Sequence, residues 1–167
     1  MTPTAFEEFC LYLLRLYGME LRRVGGSGDE GIDGIGTAPL GPLLSATVAV
    51  QAKRWAPEKS VARDVVALFQ RDAVAAGAER AVLISLGRFT PPARKAATRT
   101  APTVELIDGE RLAALVKEHR IGLVTAVDGG WFDRFETEAP AVRPPSTPAK
   151  RQRQQPTGSR RANVDAD

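Results

Sequence analysis

Cysteine and histidine are almost absent from this sequence, whose 167 residues include Cys10 and His119 as the only examples of either type. A disulfide within the chain is therefore excluded. A zinc site made of cysteine and histidine is excluded as well, because such sites use several of these ligands. Cys10 lies on the apolar side of a predicted helix, so we interpret it as a small buried hydrophobic residue and not as a catalytic thiol.

Long apolar runs are also missing. No stretch reaches the ~18 residues that a membrane-spanning helix needs. The first eight residues already carry two acids, Glu7 and Glu8, which does not match the basic and then apolar layout of a signal peptide. We therefore expect a cytoplasmic protein with no membrane partner.

Positive charge is concentrated near the C-terminus. Residues 143–167 contain six Lys/Arg and two Asp/Glu, a net charge of +4, whereas residues 1–142 carry seventeen Lys/Arg and eighteen Asp/Glu, a net charge of −1. From Glu138 the chain is rich in Pro, Ser, Gln and Arg without apolar periodicity, which predicts disorder. We thus predict a folded domain over residues 1–137 and a basic tail over residues 138–167.

The tail has two interpretations. It could be a solvated, dispensable end. It could instead lie along DNA phosphates and release counterions, which gives affinity without sequence preference. The basic residues that would then contact the DNA backbone are Lys150, Arg151, Arg153, Arg160 and Arg161.

Hydrophobic periodicity predicts the order helix, three strands, helix, strand, helix, strand, helix. In the first helix, Thr4 is the expected cap and Glu7 would complete a capping box. In the second, Val61, Val65, Leu68 and Phe69 are expected to face inward. This order is typical of an α/β domain with a mixed sheet flanked by helices.

The stretch "GGSGDEGIDG", residues 25–34, contains the G-x-G-x-x-G spacing of a dinucleotide-binding loop. Such a loop must open a helix, so that the pyrophosphate lies at the helix N-terminus. Here the next residues are "IDGIG", which favour a strand, and the residue 20 positions after Gly31 is Gln51 and not an acid. We therefore predict no dinucleotide cofactor.

Three polar residues form a possible catalytic cluster. Asp33 is expected in the second strand, and Gln51 and Lys53 lie at alternate positions of the third, so their side chains share one face. A carboxylate and an amide oxygen are ligands for Mg²⁺, and a nearby ammonium can stabilise negative charge. The spacing alone does not exclude a polar sheet edge in which Lys53 simply pairs with Asp33.

Five segments in order, "FEEF…LLRLYG", "GGSGDEGIDG", "VQAKRW", "GAERAVLISLGRFTPPARKAA" and "VELIDGERLAALV", resemble the catalytic domain of Mrr-type restriction endonucleases, in the PD-(D/E)xK nuclease superfamily. The resemblance covers roughly Thr2 to Leu123. It implies a restriction-endonuclease-like fold and DNA cleavage that depends on Mg²⁺, which Mn²⁺ could replace. It also implies that Asp33 and Gln51 bind the metal and that Lys53 is the catalytic lysine. Gln51 occupies the usual acidic position, as is typical of the Mrr branch.

The same resemblance matches Glu7 to the acid of the first helix, with Glu8 as the alternative, while a capping role for Glu7 stays open. Gly25, Gly26 and Gly28 would form the turn through which DNA approaches the site. The family often has a small hydroxyl residue where this chain has Gly87.

Two other functions remain open. One is a non-catalytic DNA-binding module, and the other is a junction-resolving or repair nuclease on the same fold. For an endonuclease that breaks both strands, a homodimer is expected, because one cluster cuts one strand.

Overall fold

The computed structural model describes residues 1–24 and 31–121, and a five-stranded mixed sheet lies at its centre. The elements in chain order are α1 (Pro3–Leu16), β1 (Glu20–Arg23), β2 (Gly34–Pro39), β3 (Ser45–Lys53), β4 (Ser60–Val61), α2 (Arg63–Ala75), β5 (Arg80–Ser85), β6 (Arg88–Phe89), α3 (Pro91–Ala97), β7 (Val104–Ile107) and α4 (Gly109–Glu118).

The sheet has the strand order β1-β2-β3-β5-β7. The first three strands form an antiparallel meander, and β3, β5 and β7 run parallel, joined by crossovers through α2 and α3. This confirms the predicted α/β class with a mixed sheet. The prediction missed the parallel pair β4–β6, because strands of two residues show no periodicity. None of the helices within the described residues is long and apolar enough to cross a membrane.

Helices cover both faces of the sheet. Val48, Val50 and Ala52 of β3 pack in one apolar cluster with α1 and with Leu112 of α4. Ala49 belongs to a second cluster with residues of α2 and α3. Since side chains alternate along a strand, Gln51 and Lys53 lie on the face of α2 and α3, as Ala49 does.

The start of α1 differs from the prediction. Thr2 is the cap, and its hydroxyl accepts a hydrogen bond from the N–H of Ala5 at 3.2 Å. The helix begins at Pro3, because a proline suits the first helical position, where its missing N–H has no intrahelical partner. The prediction of Thr4 as cap was therefore wrong, and Glu7 lies too far into the helix to form a capping box. Cys10 is fully buried, as we expected, and burial raises the pKa of its thiol.

The buried face of α2 was also predicted incorrectly. Val61 is buried but belongs to β4, and the helix begins two residues later. Its buried apolar residues are Val66, Phe69 and Ala73, whereas Leu68 is 52% exposed. Assigning Val61 to the helix shifted the predicted buried stripe around the helix axis. Of the helical residues predicted to face inward, Phe69 is buried, Val65 is half-buried and Leu68 is exposed.

Gly87 allows two segments to approach closely next to β6. A Cβ atom at this position would lie 2.3 Å from the carbonyl oxygen of Lys59. The same oxygen accepts a hydrogen bond from the N–H of Arg88 at 3.1 Å. The hydroxyl residue common in the family at this position would therefore not fit here without a backbone shift.

Candidate active site

Asp33 lies one residue before β2, and not within the strand as predicted. The regular pairing of β2 with β3 ends at Gly34 and Val50. Beyond it, the N–H of Asp33 donates to the carbonyl of Val50 at 2.8 Å, and its own carbonyl accepts from the N–H of Val24 at 2.9 Å. These bonds fix the Asp33 backbone between β1 and β3.

The Asp33 side chain reaches β3 between the two other residues of the cluster. Its Oδ2 accepts a hydrogen bond from the N–H of Ala52 at 2.6 Å. Ala52 is the residue that separates Gln51 from Lys53 in β3. The fold therefore brings the carboxylate beside the strand that carries the amide and the ammonium.

Burial raises the pKa of Asp33 from 3.8 to about 6. The hydrogen bond from Ala52 opposes this shift, the negative charge of Glu7 adds to it, and the positive charges of Lys53 and Arg23 oppose it. The pKa of the carboxyl thus lies close to neutrality, as is common for groups that do chemistry. The influence of Glu7 and Lys53 also shows that α1 and β3 contribute charges to the surroundings of Asp33.

Gln51 is held in one orientation. Its side chain is buried, and its amide Nε2 donates to the carbonyl oxygen of Gly31. Gly31 has a positive φ of +70°, and a Cβ atom there would lie 2.7 Å from the Gln51 Nε2. The amide oxygen of Gln51 takes no part in this bond, and an amide oxygen is a ligand type that Mg²⁺ accepts.

Glu7 and Glu8 of α1 both contact Arg23 of β1. The Arg23 Nη2 lies 2.9 Å from Oε2 of Glu7, and the Arg23 Nε lies 3.2 Å from Oε1 of Glu8. Of the two acids, only Glu7 affects the pKa of Asp33. Arg23 therefore ties both acids of α1 to β1, and the contacts do not separate Glu7 from Glu8.

The oxygen atoms at this position suit a hard cation. Asp33 offers a carboxylate and Gln51 an amide oxygen, and Ala52, which follows Gln51 in β3, offers a backbone carbonyl. Mg²⁺ accepts such oxygen ligands, keeps several waters and needs few protein side chains. Within residues 1–24 and 31–121, no group of three or more His, Cys, Asp or Glu side chains is arranged to hold a metal. Asp33 and Gln51 are thus oxygen donors of the type that a hard divalent cation accepts together with water molecules.

Several predicted site residues lie outside the described part of the chain. These are Gly25, Gly26 and Gly28 of the glycine turn and the tail residues Lys150, Arg151, Arg153, Arg160 and Arg161.

Sequence reasoning missed two residues near the cluster. Arg23 binds the acids of α1, and Asp72 of α2 is buried next to Gly31. A signal for Asp72 did exist, since it lies three residues after Phe69 and beside the buried stripe of α2. No comparable signal marks Arg23, because its contacts depend on how α1 packs against β1.

The family model of the Mrr catalytic domain, described as restriction endonuclease, matches residues 1–116. The type IV methyl-directed restriction enzyme EcoKMrr of Escherichia coli (strain K12) is 38% identical over 128 residues, which are 74% of this chain and 40% of that protein. The chain thus spans well under half the length of this curated relative.

Solved structures share the fold. The DNA modification-dependent restriction endonuclease AspBHI has a TM-score of 0.66 at 23% identity and matches 81% of this chain and 36% of its own. The MspJI restriction endonuclease, solved in complex with a 27-mer oligonucleotide, has a TM-score of 0.63 at 26% identity, over 81% of this chain and 32% of its own. The similarity expected from the sequence motifs is confirmed, and the chain belongs to the restriction endonuclease family defined by the Mrr catalytic domain.

Proposed function

We propose that this protein is a Mg²⁺-dependent DNA endonuclease of the restriction or DNA-defence type, which hydrolyses phosphodiester bonds. One observation carries the proposal: the Asp33 carboxylate is bonded to the N–H of Ala52, between Gln51 and Lys53. The carboxylate thus lies against the strand that carries Gln51 and Lys53, in a member of a restriction endonuclease family.

Asp33 and Gln51 would hold the metal, with the Ala52 carbonyl as a further ligand. When bound, Mg²⁺ or Mn²⁺ would lower the pKa of a water molecule and neutralise charge on the scissile phosphate. The hydrogen bond from Ala52 orients the Asp33 carboxylate, and the bond to Gly31 orients the Gln51 amide. The two ligand side chains are thus positioned before a metal arrives.

Lys53 would act on the reacting phosphate. Its ammonium can orient the attacking water and stabilise the negative charge that develops as the new P–O bond forms and the ester P–O bond breaks. Glu7 would contribute through water, since Arg23 already holds one of its oxygens. Arg23 in this view is a positioning residue and not a catalytic one.

Incubation of plasmid with the pure protein, in Mg²⁺ and in EDTA, tests the proposal. We expect nicked or linear plasmid in Mg²⁺ and intact plasmid in EDTA. If the protein binds plasmid but leaves it intact in Mg²⁺ and Mn²⁺, the non-catalytic DNA-binding module is the correct function.

A panel of methylated, unmethylated and branched DNA then separates restriction from junction resolution or repair. The similarity to EcoKMrr and AspBHI, whose names refer to methyl-directed and modification-dependent restriction, favours modified duplex DNA over branched DNA in this panel.

We infer that two copies act at each double-strand break, because one cluster of Asp33, Gln51 and Lys53 serves one strand. The rate of linear product should then rise more steeply than linearly with enzyme concentration. A strictly linear rise, with one copy bound per break, would contradict dimerisation and leave the nuclease proposal intact.

A further inference from the structure

A groove of about 550 Å³ lies between the outer sides of α2 and α3. Three cations line it, Arg63 at the start of α2, Lys95 of α3 and Arg99 just beyond α3. The other lining residues are uncharged: Ala67, Gln70, Pro92, Ala96 and Thr100. The groove therefore carries three positive charges and no acidic side chain in its lining.

This local charge differs from that of the chain around it, since residues 1–142 have a net charge of −1. Arg63 forms an ion pair with Asp64, with 3.6 Å between the two side chains. Both side chains are mostly exposed, Asp64 at 91% and Arg63 at 59%. An exposed pair of this kind contributes little, so Arg63 remains available to a stronger anion.

The base of the groove is fixed. The Nε2 of Gln70 donates to the carbonyls of Thr100 and Pro102 at 2.8 and 2.7 Å. These two bonds connect α2 to the segment after α3, so they hold together the backbone segments that carry the three cations.

The two helices that form the groove lie on the same face of the sheet as Gln51 and Lys53. α2 follows the end of β3 after nine residues, and it covers the sheet face that carries Gln51 and Lys53. We propose that the groove binds the phosphodiester backbone of DNA, on the same side of the sheet as the scissile phosphate. This inference rests on the proposed nuclease function, for which it supplies a DNA-binding surface within the folded domain.

The test measures DNA binding in EDTA, so that cleavage does not interfere. The full chain is compared with a groove variant, Arg63→Gln with Lys95→Gln and Arg99→Gln, on an unmodified duplex across a salt series. A matched control variant, Arg80→Gln with Lys117→Gln and Arg120→Gln, removes three cations at the start of β5 and the end of α4, away from the carboxyl end of β3.

The groove variant should bind at least tenfold more weakly at low salt. Its slope of log affinity against log salt should be flatter by about 2 to 3, or roughly 0.9 for each DNA phosphate that it no longer neutralises. The control should match the full chain. Equal losses in both variants, or none in the groove variant, would overturn the groove proposal. Plasmid cleavage by the unmodified chain tests the nuclease proposal separately.

A second observation concerns the residue type at position 51. A Cβ atom on Gly31 would lie 2.7 Å from Nε2 of Gln51 and 3.1 Å from Oδ2 of Asp72, so these two atoms are less than about 6 Å apart. Both side chains are buried, at 5% and 6% exposure. Asp72 forms an ion pair with Arg71 at 2.9 Å through its other oxygen.

The geometry points to Gly31 and Asp72 as the groups that require glutamine at position 51. The Gly31 carbonyl needs a donor, which an amide supplies and a carboxylate lacks. A glutamate there would leave that carbonyl without its partner and would bring a second buried negative charge close to Asp72. Asp72 is thus a positioning residue that acts through the side chain at position 51.

Thermal unfolding in EDTA tests this inference without reference to cleavage. Gln51→Glu should lower Tm by about 5 °C or more, because it buries an uncompensated charge. Adding Asp72→Asn should restore a substantial part of that loss. Gln51→Leu is the control: it removes the hydrogen bond without adding charge, so Asp72→Asn should not rescue it.

The inference is overturned if Asp72→Asn changes Tm by the same amount in the unmodified chain, in Gln51→Glu and in Gln51→Leu, or if Gln51→Glu leaves Tm unchanged. Since no cleavage is measured, neither result bears on whether the protein is a nuclease.

Discussion

Two aspartates of this protein each lie just before a secondary-structure element, and their pKa values are shifted in opposite directions. Asp33 precedes β2, and Asp108 precedes α4. Burial raises the pKa of Asp33 to about 6. Burial acts in the same direction on Asp108, but hydrogen bonds from the N–H of Arg111 and the guanidinium of Arg94, at 3.1 and 2.8 Å, outweigh it and lower the pKa.

The difference lies in how the oxygens are used. Both oxygens of Asp108 are bonded, one as the cap of α4 and one in the ion pair with Arg94. Asp33 has one bonded oxygen, Oδ2, and among the described residues no donor is bonded to Oδ1. A carboxylate whose oxygens are satisfied stabilises the fold, whereas one with an unbonded oxygen in a partly buried place is suited to a cation.

The largest expected difference between the two aspartates concerns cleavage. Asp33→Ala should reduce the rate of plasmid cleavage in Mg²⁺ by at least about 10³-fold, since it removes the only carboxylate among the proposed ligands. Asp108→Ala should cleave within about twofold of the unmodified chain under conditions where it is folded, because Asp108 lies outside the cluster. Time courses with equal amounts of folded protein measure both, and a loss in Asp108→Ala as large as in Asp33→Ala would remove the distinction.

The second contrast is in stability. Asp108→Ala should lower the free energy of unfolding by about 1–2 kcal/mol, because it removes the cap of α4, and Tm should fall by several degrees. Urea unfolding at pH 7 provides the measurement, with Asp64→Ala as a control for an exposed acid in the first turn of α2. An Asp108→Ala protein as stable as this control would show that the cap contributes nothing.

The third contrast is in pH dependence without metal. Asp33 has a folded-state pKa of about 6 against an ordinary 3.8, so the folded protein binds more protons between these values and loses stability as pH rises through this window. A shift of this size corresponds to roughly 3 kcal/mol at most, and solvent screening of the partly exposed carboxyl reduces it to about 1–2 kcal/mol.

Asp33→Asn should therefore be more stable than the unmodified chain at pH 7 in EDTA, while keeping an acceptor for the N–H of Ala52. The two proteins should converge near pH 4. Equal stability at both pH values would mean that Asp33 is not held in an unfavourable ionised state. The pH dependence of stability is opposite for Asp108, because its pKa is lowered in the folded protein. Its contribution to stability is present above the ordinary pKa of an aspartate and is lost as the pH falls.

The smallest effect concerns the C-terminal residues, which lie far in sequence from both aspartates. Deleting residues 143–167 should flatten the slope of log DNA affinity against log salt by up to about 0.9 for each of Lys150, Arg151, Arg153, Arg160 and Arg161 that contacts a phosphate. It should leave Tm and the pH dependence of stability unchanged. Parallel slopes for full-length and truncated protein would assign the DNA affinity to the folded domain alone.

The sequence alone was sufficient for the main elements, because the apolar residues of "TVAVQAK" and the apolar run "AVLIS" reflect burial on the two faces of the sheet. It also placed Gln51 and Lys53 on one face, which follows from strand geometry alone. The position of Asp33 next to Ala52 depends on the register of β2 against β3, and that register is a tertiary property.

The errors have physical causes as well. Thr4 and Thr2 are equally good caps in isolation, and Pro3 decides between them. Asp72 was overlooked because charged residues are seldom buried unless they are paired, and its pairing with Arg71 and its position beside Gly31 appear only when α2 lies against the sheet.

The role of Lys53 tests the central claim most directly, because no other side chain of the cluster can supply a positive charge to the phosphate. The measurement compares plasmid cleavage in Mg²⁺ by the unmodified chain and by Lys53→Ala, together with Tm and with DNA binding in EDTA. We predict that Lys53→Ala folds and binds DNA but loses at least about 10²-fold in cleavage rate. Near-normal cleavage by a well-folded Lys53→Ala protein would contradict the assignment of Asp33, Gln51 and Lys53 as the catalytic cluster.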